Sequence, residues 1–202
     1  MASDPVRSWR EPFFKNRGTL LALPAVSLAL FGRPTPGSIA LGVPIALAGE
    51  ALRCWAVGYS GVTTRADTVT APKLVTAGPY GYVRNPLYVG NFLTALGFTI
   101  AFTGGRSPAA RTAFAVAGLG TMLGVYAAIV PLEEAYLRTT FGDAFDAYVA
   151  SVPRVVPLRT PARPQHGSYD ASVIAKAESR TFVTFGAMLL ALAFKAISAR
   201  NA

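Results

Sequence analysis

The sequence predicts an all-α fold, a polytopic membrane bundle of about five transmembrane helices. Two observations carry this prediction. Of the 202 residues, 52% are hydrophobic and 14% are charged, whereas roughly a quarter of the residues in a soluble domain are charged. No charged side chain occurs between Arg84 and Arg106 or between Arg111 and Glu133, and a helix of about 20 apolar residues spans a bilayer core.

The first two spans are the least regular. Span 18–31 is short and contains Pro24, so we expect it to be tilted or to form a hairpin with the next span. A signal peptide is the alternative interpretation, but no A-x-A-type cleavage site follows before the sequence GRPTPG. Span 37–59 is interrupted by Glu50 and Arg53.

The remaining three spans are nearly free of charge. Spans 86–104 and 112–132 coincide with the two uncharged intervals. Span 181–199 contains only Lys195, which lies near its end and can extend its ammonium group to the interface. The sequence has no internal repeat, so we expect a single membrane domain over residues 1–202.

The basic residues predict the orientation of this bundle. With the N-terminus in the cytoplasm, segments 1–17, 60–85 and 132–180 carry four, three and six Lys or Arg residues. The outer segments then carry only Arg33, Arg106, Arg111 and Arg200. Because cytoplasmic loops are enriched in Lys and Arg, we expect the N-terminus inside and the C-terminus outside. The net charge of +9 does not indicate a nucleic acid partner, since the basic residues are spread among loops.

Metal chemistry has little support in the sequence. Cys54 is the single cysteine, which excludes an intrachain disulfide and a cysteine-based zinc cluster. His166 is the single histidine and lies in a proline-rich stretch, so we expect a solvated loop residue rather than a ligand or a base. We therefore expect no metal site.

A polar segment separates the fourth and fifth spans. Within 133–152, apolar residues recur at steps of three and four, which predicts amphipathic cytoplasmic helices from Leu137, Phe141, Phe145, Tyr148 and Val152. We expect Gly142 and Asp143 to divide this stretch into two helices. Residues 153–168 are rich in proline and are expected to form an extended linker.

Two pairs of ionisable residues invite a functional interpretation. Glu50 and Arg53 are three apart and can pair on one helix face; an ionisable residue within a span marks a candidate functional site, and a structural ion pair is the alternative. Glu133 and Glu134 directly follow span 112–132, and a helix carboxyl end disfavours carboxylates. A cationic or hydroxylated ligand would explain them if the helix ended there. Alternatively, the helix continues into water and both are solvated.

The stretch AGPYGYVRNP, residues 77–86, predicts a tight turn followed by a helix start. Gly78 and Gly81 permit unusual backbone shapes and Pro79 fixes its own φ angle, so amides and tyrosine rings should be available to a polar, partly aromatic ligand. Asn85 is predicted to cap the third span, with Pro86 in its first turn. The alternative is that the tyrosines are interfacial belt residues and the following arginine is a positive-inside anchor.

Taken together, three stretches resemble the isoprenylcysteine carboxyl methyltransferase and phospholipid methyltransferase superfamily of integral membrane enzymes. They are LVTAGPYGYVRNPLYVG at 74–90, EEAYLRTTFG at 133–142 and AYVASVPRVVP at 147–157. A weaker likeness extends over GEALRCWAVGYSG at 49–61. The order and spacing of the motifs are specific to the superfamily but not to a substrate.

The resemblance implies methyl transfer from S-adenosylmethionine to a lipid, isoprenoid or small lipophilic acceptor at the cytoplasmic face. It implies a cytoplasmic-side cofactor pocket between the turn and the glutamate pair, formed by Leu74, Val75, Gly78, Pro79, Tyr80, Arg84, Asn85, Pro86, Tyr88, Gly90, Glu133 and Glu134. Of these, the expected catalytic residues are Arg84, Asn85 and Glu133. Candidates for contact with an anionic headgroup or carboxylate of the acceptor are Arg53 and Arg154.

Two departures from the family pattern bear on mechanism. Many members have histidine where this chain has Asn85, and many have tyrosine where it has Phe145. Asparagine forms hydrogen bonds but takes up no proton at neutral pH. We therefore expect Asn85 to orient the cofactor rather than to act as a base.

Two other functions compete with methyl transfer. An NADPH-dependent membrane reductase of sterol-reductase type would share the Arg-x-Pro-x-Tyr-x-Gly step, and the glutamate pair is the feature that argues against it. A non-catalytic membrane scaffold would keep the fold without chemistry. In each case the expected partners are the lipid bilayer and, for an enzyme, a lipophilic acceptor; the oligomeric state stays open.

Overall fold

The computed structural model describes residues 11–61, 71–157, 160–161 and 165–199. Within these ranges the chain is helical or irregular and contains no strand, so the predicted all-α bundle is confirmed. Arg200, and parts of the predicted N-terminal segment, the 60–85 loop and the proline-rich linker, lie outside the described residues.

Six α-helices form the bundle within the described ranges. They are α1 (Glu11–Phe31), α2 (Pro36–Ser60), α3 (Pro86–Thr103), α4 (Pro108–Phe141), α5 (Asp143–Ser151) and α6 (Ile174–Ser198). Helices α2, α3, α4 and α6 are long and apolar enough to cross a membrane, and the apolar part of α1, Asn16–Phe31, is shorter. The bundle is therefore that of a multi-pass membrane protein.

Helix α4 departs from its predicted boundaries. It includes a π-helical segment, Val116–Gly120, and it does not end at residue 132 but continues through both glutamates to Phe141. The continuation buries apolar side chains, because Leu137 and Phe141 pack against α5. The helix ends at Gly142, whose φ of 52° is readily adopted only by glycine.

The two ends of the bundle differ in what they carry. We call the end that holds the 3₁₀ turn Gly78–Gly81 and the two glutamates the motif end. The opposite end holds the connections 32–35 and 104–107, and we call it the distal end. Helices α2 and α4 run from the distal end to the motif end, whereas α3 and α6 run back.

Small residues bring α2 and α3 into close antiparallel contact. Gly42 lies opposite Gly97, and two helical turns further on Gly49 lies opposite Gly90. A Cβ atom on Gly97 would lie 2.5 Å from the Gly42 carbonyl oxygen and 2.8 Å from the Ala46 Cα. Without a hydrophobic force between helices in lipid, such close backbone contact is a main source of association.

Helices α1 and α6 cover this pair. Buried aromatic and aliphatic side chains from four helices form one cluster, which includes Leu28, Phe98, Phe102, Phe185 and Met188. Large apolar side chains on the outer faces remain exposed, as expected for contact with lipid acyl chains. The cluster fixes α6, which the motifs of the sequence do not include, against the rest of the bundle.

We expect Gly97→Ala to destabilise the protein by about 1 to 3 kcal/mol, because the added methyl group must displace helix backbone. The matched control is Gly124→Ala in α4, where a Cβ atom meets no atom within 4 Å and where alanine favours the helix by about 1 kcal/mol. Denaturant unfolding in detergent measures both. Equal stability of the two variants would contradict the close α2–α3 contact.

Candidate functional site

The 78–81 turn is held tightly against α2. Gly78 has a φ of 60°, and a Cβ atom there would lie 2.6 Å from Cδ2 of the Tyr59 ring. Pro79, the second residue of the turn, is buried. Glycine is therefore required at position 78 both by the backbone angle and by the ring that faces it.

A segment that precedes α6 lies along the turn. The His166 carbonyl accepts hydrogen bonds from the Thr76 and Ala77 amides at 2.9 and 3.2 Å, and its own amide donates to Thr76 Oγ1 at 2.8 Å. The Tyr169 ring packs on Tyr59 with 5.4 Å between centroids. The His166 side chain is exposed, so His166 holds the turn through its backbone.

Tyr80 lies at the centre of the turn and faces the glutamates. Its carbonyl accepts a hydrogen bond from the Tyr148 hydroxyl at 2.7 Å. Burial raises the pKa of the Tyr80 phenol to about 12, and the Glu133 carboxylate contributes to the rise. Burial likewise raises the pKa of Tyr148. Both phenols are therefore protonated at neutral pH, and Tyr148 uses its proton in the hydrogen bond to the Tyr80 carbonyl.

Arg84 joins three segments at the motif end. Its Nε and Nη2 atoms donate to Glu134 Oε1 at 3.1 and 3.0 Å. Its Nη1 atom donates to the carbonyls of Val152 at 2.5 Å and Val149 at 3.3 Å. The Arg84 side chain is only 10% exposed, so Arg84 is a nearly buried connector and not the positive-inside surface anchor of the alternative interpretation.

Glu134 lies between two arginines. Arg154 approaches it from the other side, with Nη2 2.5 Å from Oε2 and Nε 3.1 Å from Oε1. The hydrogen bond to this carboxylate raises the pKa of Arg154. Because two guanidinium groups already neutralise Glu134, its carboxylate has a structural partner on each side.

Asn85 occupies the predicted N-cap position of α3, but its side chain does not cap the helix. Its Nδ2 atom instead donates to the Arg154 carbonyl at 3.2 Å. The backbone amides of Arg84 and Asn85 donate to the carbonyls of Pro153 and Arg154 at 2.9 and 3.1 Å. The predicted capping role of Asn85 was wrong because the chain after α5 bonds to the backbone of Arg84 and Asn85. The Arg154 carbonyl of that chain also accepts the hydrogen bond from the Asn85 side chain.

Glu133 has different surroundings from Glu134. The Tyr88 hydroxyl donates to its Oε1 atom at 2.7 Å, and the Tyr126 ring packs on Tyr88 with 4.3 Å between centroids. Arg17 on α1 acts electrostatically on both Glu133 and Tyr88. The two motifs thus meet at one place through two different pairs, Arg84 with Glu134, 50 positions apart in the sequence, and Tyr88 with Glu133, 45 positions apart.

Helix α5 is docked over the same end by an apolar cluster. Phe145, Tyr148 and Val152 are buried against the start of the 74–90 motif and the last turns of α4, where their neighbours include Leu74 and Leu137. This is the apolar face that the three- and four-residue spacing predicts. The position at which many family members have tyrosine is filled by the Phe145 ring, 1% exposed.

The predicted Glu50–Arg53 pair belongs to a larger intramembrane network. Arg53 Nε lies 3.8 Å from Glu50 Oε2, but Arg53 Nη2 is only 2.7 and 2.8 Å from the two Glu178 oxygens. Arg53 Nη1 also donates to Asn91 Oδ1. Arg53, a predicted contact for the acceptor, is therefore held by carboxylates from α2 and α6 and by the Asn91 amide.

A cavity of about 220 Å³ lies beside this network, in the middle of the bundle. Its walls come from α1, α2, α3, α4 and α6 and are mainly apolar, with Leu28, Phe98 and Met188 among them. Its polar lining includes Arg53 and Tyr126. Tyr126 also packs on Tyr88, whose hydroxyl bonds to Glu133. The Tyr88 ring therefore connects the polar part of the cavity with Glu133.

The structure separates the predicted site residues into two groups. Tyr80, Arg84, Asn85, Tyr88, Glu133, Glu134 and Arg154 meet around the turn, whereas Leu74, Val75, Pro86 and Gly90 pack beneath or beside it. Gly90 is enclosed by α2, where a Cβ atom would lie 2.7 Å from Arg53 Cγ. The cofactor-binding and catalytic roles of these residues stay predictions.

Asn91, Tyr126, Tyr148 and Glu178 contact predicted site residues but were not themselves expected to do so. Asn91 and Tyr126 are polar residues within spans, and Tyr148 had been assigned only to an apolar face. Glu178 is fully buried although it lies before the predicted fifth span. Helix α6 includes this residue because the helix begins at Ile174 rather than at 181. Asn91 and Tyr126 could have been identified from the sequence, because each is a polar residue inside an otherwise apolar helix.

Comparisons with known proteins show which family the chain resembles. The model of the phospholipid methyltransferase family matches residues 38–144. The chain is 36% identical over 85 residues to protein-S-isoprenylcysteine O-methyltransferase of Schizosaccharomyces pombe, covering 42% of this chain and 33% of that protein. It is 34% identical over 86 residues to protein-S-isoprenylcysteine O-methyltransferase B of Arabidopsis thaliana, covering 43% and 40%. The matches thus span a third to two fifths of these relatives, and no solved structure matches.

We expect Arg84→Gln to lower the free energy of unfolding by about 3 kcal/mol, because it removes one partner of a nearly buried ion pair and frees two carbonyls of the α5 region. The control is Arg138→Gln, which removes an exposed pair with Asp146 and should cost less than about 1 kcal/mol. Denaturant unfolding gives the stabilities, and hydrogen exchange over 143–152 should accelerate in the first variant only. Equal exchange in both variants would contradict the connecting role of Arg84.

Proposed function

Because the chain belongs to the phospholipid methyltransferase family, whose model matches more than half of it, we propose that it transfers a methyl group from S-adenosylmethionine to a lipophilic acceptor. The observation that carries the proposal is the meeting of the 74–90 motif with the glutamate pair. Arg84 contacts Glu134 and Tyr88 contacts Glu133. A cofactor bound at one motif would therefore touch the other.

The residues at this place fit such a cofactor. S-adenosylmethionine has a sulfonium and an ammonium group, two ribose hydroxyls and an aromatic base. The Glu133 carboxylate and the Tyr88 and Tyr126 rings suit the cationic groups, since aromatic faces attract cations. The protonated Tyr80 phenol and the Asn85 amide can serve the hydroxyls or the base. The bound cofactor supplies an electrophilic methyl group.

The two glutamates take different roles in this proposal. Glu134 is already paired with Arg84 and Arg154, so it positions α5 and the turn rather than the cofactor. Glu133, bonded to the Tyr88 phenol, is the carboxylate that contacts the cationic part of the cofactor. Methyl transfer is an in-line displacement, so holding donor and acceptor in contact supplies much of the acceleration. Asn85 takes no proton and serves orientation only.

The central cavity is the proposed place for the apolar part of the acceptor. It is smaller than the roughly 300–1,000 Å³ of a drug-sized pocket and suits a single hydrocarbon chain. Its polar lining at Tyr126 adjoins Tyr88, which would bring the reacting end of the acceptor toward Glu133. The names of the two relatives specify isoprenylcysteine. We therefore propose an acceptor with an isoprenoid chain, which agrees best with the names of these relatives.

The acceptor contacts that the sequence suggested need revision within this proposal. Arg53 is bound by Glu178 and Arg154 by Glu134, so an anionic acceptor would have to compete with a carboxylate at either position. We therefore assign both arginines to the framework of the site. The positive-inside distribution of Lys and Arg supports a cytoplasmic motif end and N-terminus.

Binding of the cofactor can be tested without knowing the acceptor. Titration calorimetry of the full chain in detergent should detect S-adenosylmethionine and its demethylated product. Glu133→Gln should weaken binding about tenfold, the effect of losing one charge-assisted contact of about 1.5 kcal/mol, and Arg138→Gln should leave it unchanged. Heat with NADPH but none with S-adenosylmethionine would favour the reductase, and no heat with either would favour the scaffold.

Occupation of the cavity by the acceptor makes a separate prediction. Ala95 lines the cavity, so Ala95→Trp should reduce transfer of labelled methyl groups into extracted membrane lipids by about tenfold or more while leaving cofactor binding intact. The control is Leu190→Trp, on an α6 face that is exposed to the surroundings of the bundle. Equal transfer by the two variants would exclude the cavity as the acceptor site.

A further inference from the structure

The distal end of the bundle is strongly cationic. Every acidic residue of the sequence lies outside residues 28–49, 91–120 and 186–202, and the described parts of these ranges include the distal end of the bundle. The same end carries Arg33, Arg106, Arg111 and Lys195. Positive charge therefore accumulates there without a carboxylate from the neighbouring helices.

Three of these cations are oriented by backbone carbonyls. Arg106 donates to the Phe31 carbonyl at the end of α1, and Lys195 Nζ donates to the Leu30 carbonyl at 2.9 Å. Arg111 donates to the carbonyls of Arg106 and Gly104, just beyond α3. A carbonyl at a helix end carries only a partial negative charge, so these contacts fix the side chains while leaving most of their positive charge available.

Arg111 also stands at the mouth of an apolar groove. A cavity of about 410 Å³ lies between the distal ends of α2, α3 and α4. Its apolar wall is formed by Leu41, Leu96, Ile100, Ala115 and Leu119, and the hydroxyl-bearing residues Thr35, Ser38 and Thr103 also line it. The groove therefore combines a surface for a hydrocarbon chain with a fixed guanidinium group at one end.

We propose that this distal groove binds an anionic phospholipid, with the phosphate at Arg111, whose guanidinium group bonds to the Arg106 carbonyl, and one acyl chain along the groove. Charge complementarity selects the occupant, since a zwitterionic lipid brings its own cation into a region with no described acid. Arginine suits phosphate because its planar donors match the phosphate oxygens. The apolar wall selects a lipid over a free phosphate ion.

This lipid is not the methyl acceptor. Helix α3 separates Pro86 at the motif end from Thr103 at the groove by 17 residues, which corresponds to about 25 Å at 1.5 Å per residue. The site would lie in the leaflet opposite the motif end. It goes beyond the proposed function, and its test does not depend on methyl transfer.

Native mass spectrometry of the full chain tests the proposal. The protein is mixed with equal amounts of phosphatidylglycerol and phosphatidylcholine that have identical acyl chains. The wild type should retain phosphatidylglycerol preferentially. Arg106→Gln and Arg111→Gln should each reduce that preference about fivefold, the factor for one cation near an anionic headgroup. The matched control, Arg138→Gln at the motif end, should keep it.

Further arms separate the alternatives. Ile100→Trp fills the groove and should lower retention of both lipids, which distinguishes a bound chain from a headgroup contact alone. Equal retention of the two lipids by the wild type would overturn the proposal, and so would a preference that survives in both arginine variants. Loss of the preference in the presence of millimolar inorganic phosphate would show a site for free phosphate rather than for a lipid. Because the readout is a ratio within one sample, a general loss of stability does not imitate the expected result.

Discussion

The motif end depends on the need to satisfy a nearly buried guanidinium group. Arg84 has five donor hydrogens in a fixed plane, and leaving them unpaired in a dry environment costs far more than an ordinary hydrogen bond supplies. Glu134 and two carbonyls near the end of α5 provide the acceptors. The geometry of one side chain thus draws together the start of α3, the last turns of α4 and the chain beyond α5. The turn, the glutamates and the helix that covers them are consequences of that convergence.

A second buried arginine extends the same logic into the membrane interior. Arg53 bonds to Glu178 on α6, a helix outside the region that matches the family. Loss of Glu178 would remove the nearer of two carboxylates from a guanidinium group in a low-dielectric setting, so α6 is held in the bundle by more than apolar packing. The central cavity is closed on one side by this helix, and its shape is therefore set partly by a segment that the motifs do not specify.

Sequence patterns predicted the helices well where composition alone determines them. The uncharged intervals identified α3 and α4 because a bilayer demands about 20 apolar residues, and the spacing of Phe145, Tyr148 and Val152 identified the packed face of α5. They failed where distant partners decide the outcome. Nothing near Glu134 in the sequence shows that α4 continues past it, since the burial of Leu137 and Phe141 depends on α5. Asn85 looked like a cap because its competing acceptor, the Arg154 carbonyl, lies 69 positions away.

The π-helical segment Val116–Gly120 gives α4 a wider turn, which holds one residue more than an α-helical turn. Each residue of a regular α-helix turns its successor by about 100°, and the wide turn takes up one residue without that rotation. Upstream of the segment Arg111 lines the distal groove, whereas downstream of it Tyr126 lines the central cavity and Glu133 bonds to Tyr88. Deleting one residue within the segment would restore a regular turn and leave the carboxylates on nearly the same face, whereas a deletion elsewhere in α4 would turn them by about 100°. The angular register of α4, more than its length, therefore keeps Arg111 at the distal groove and Glu133 against Tyr88.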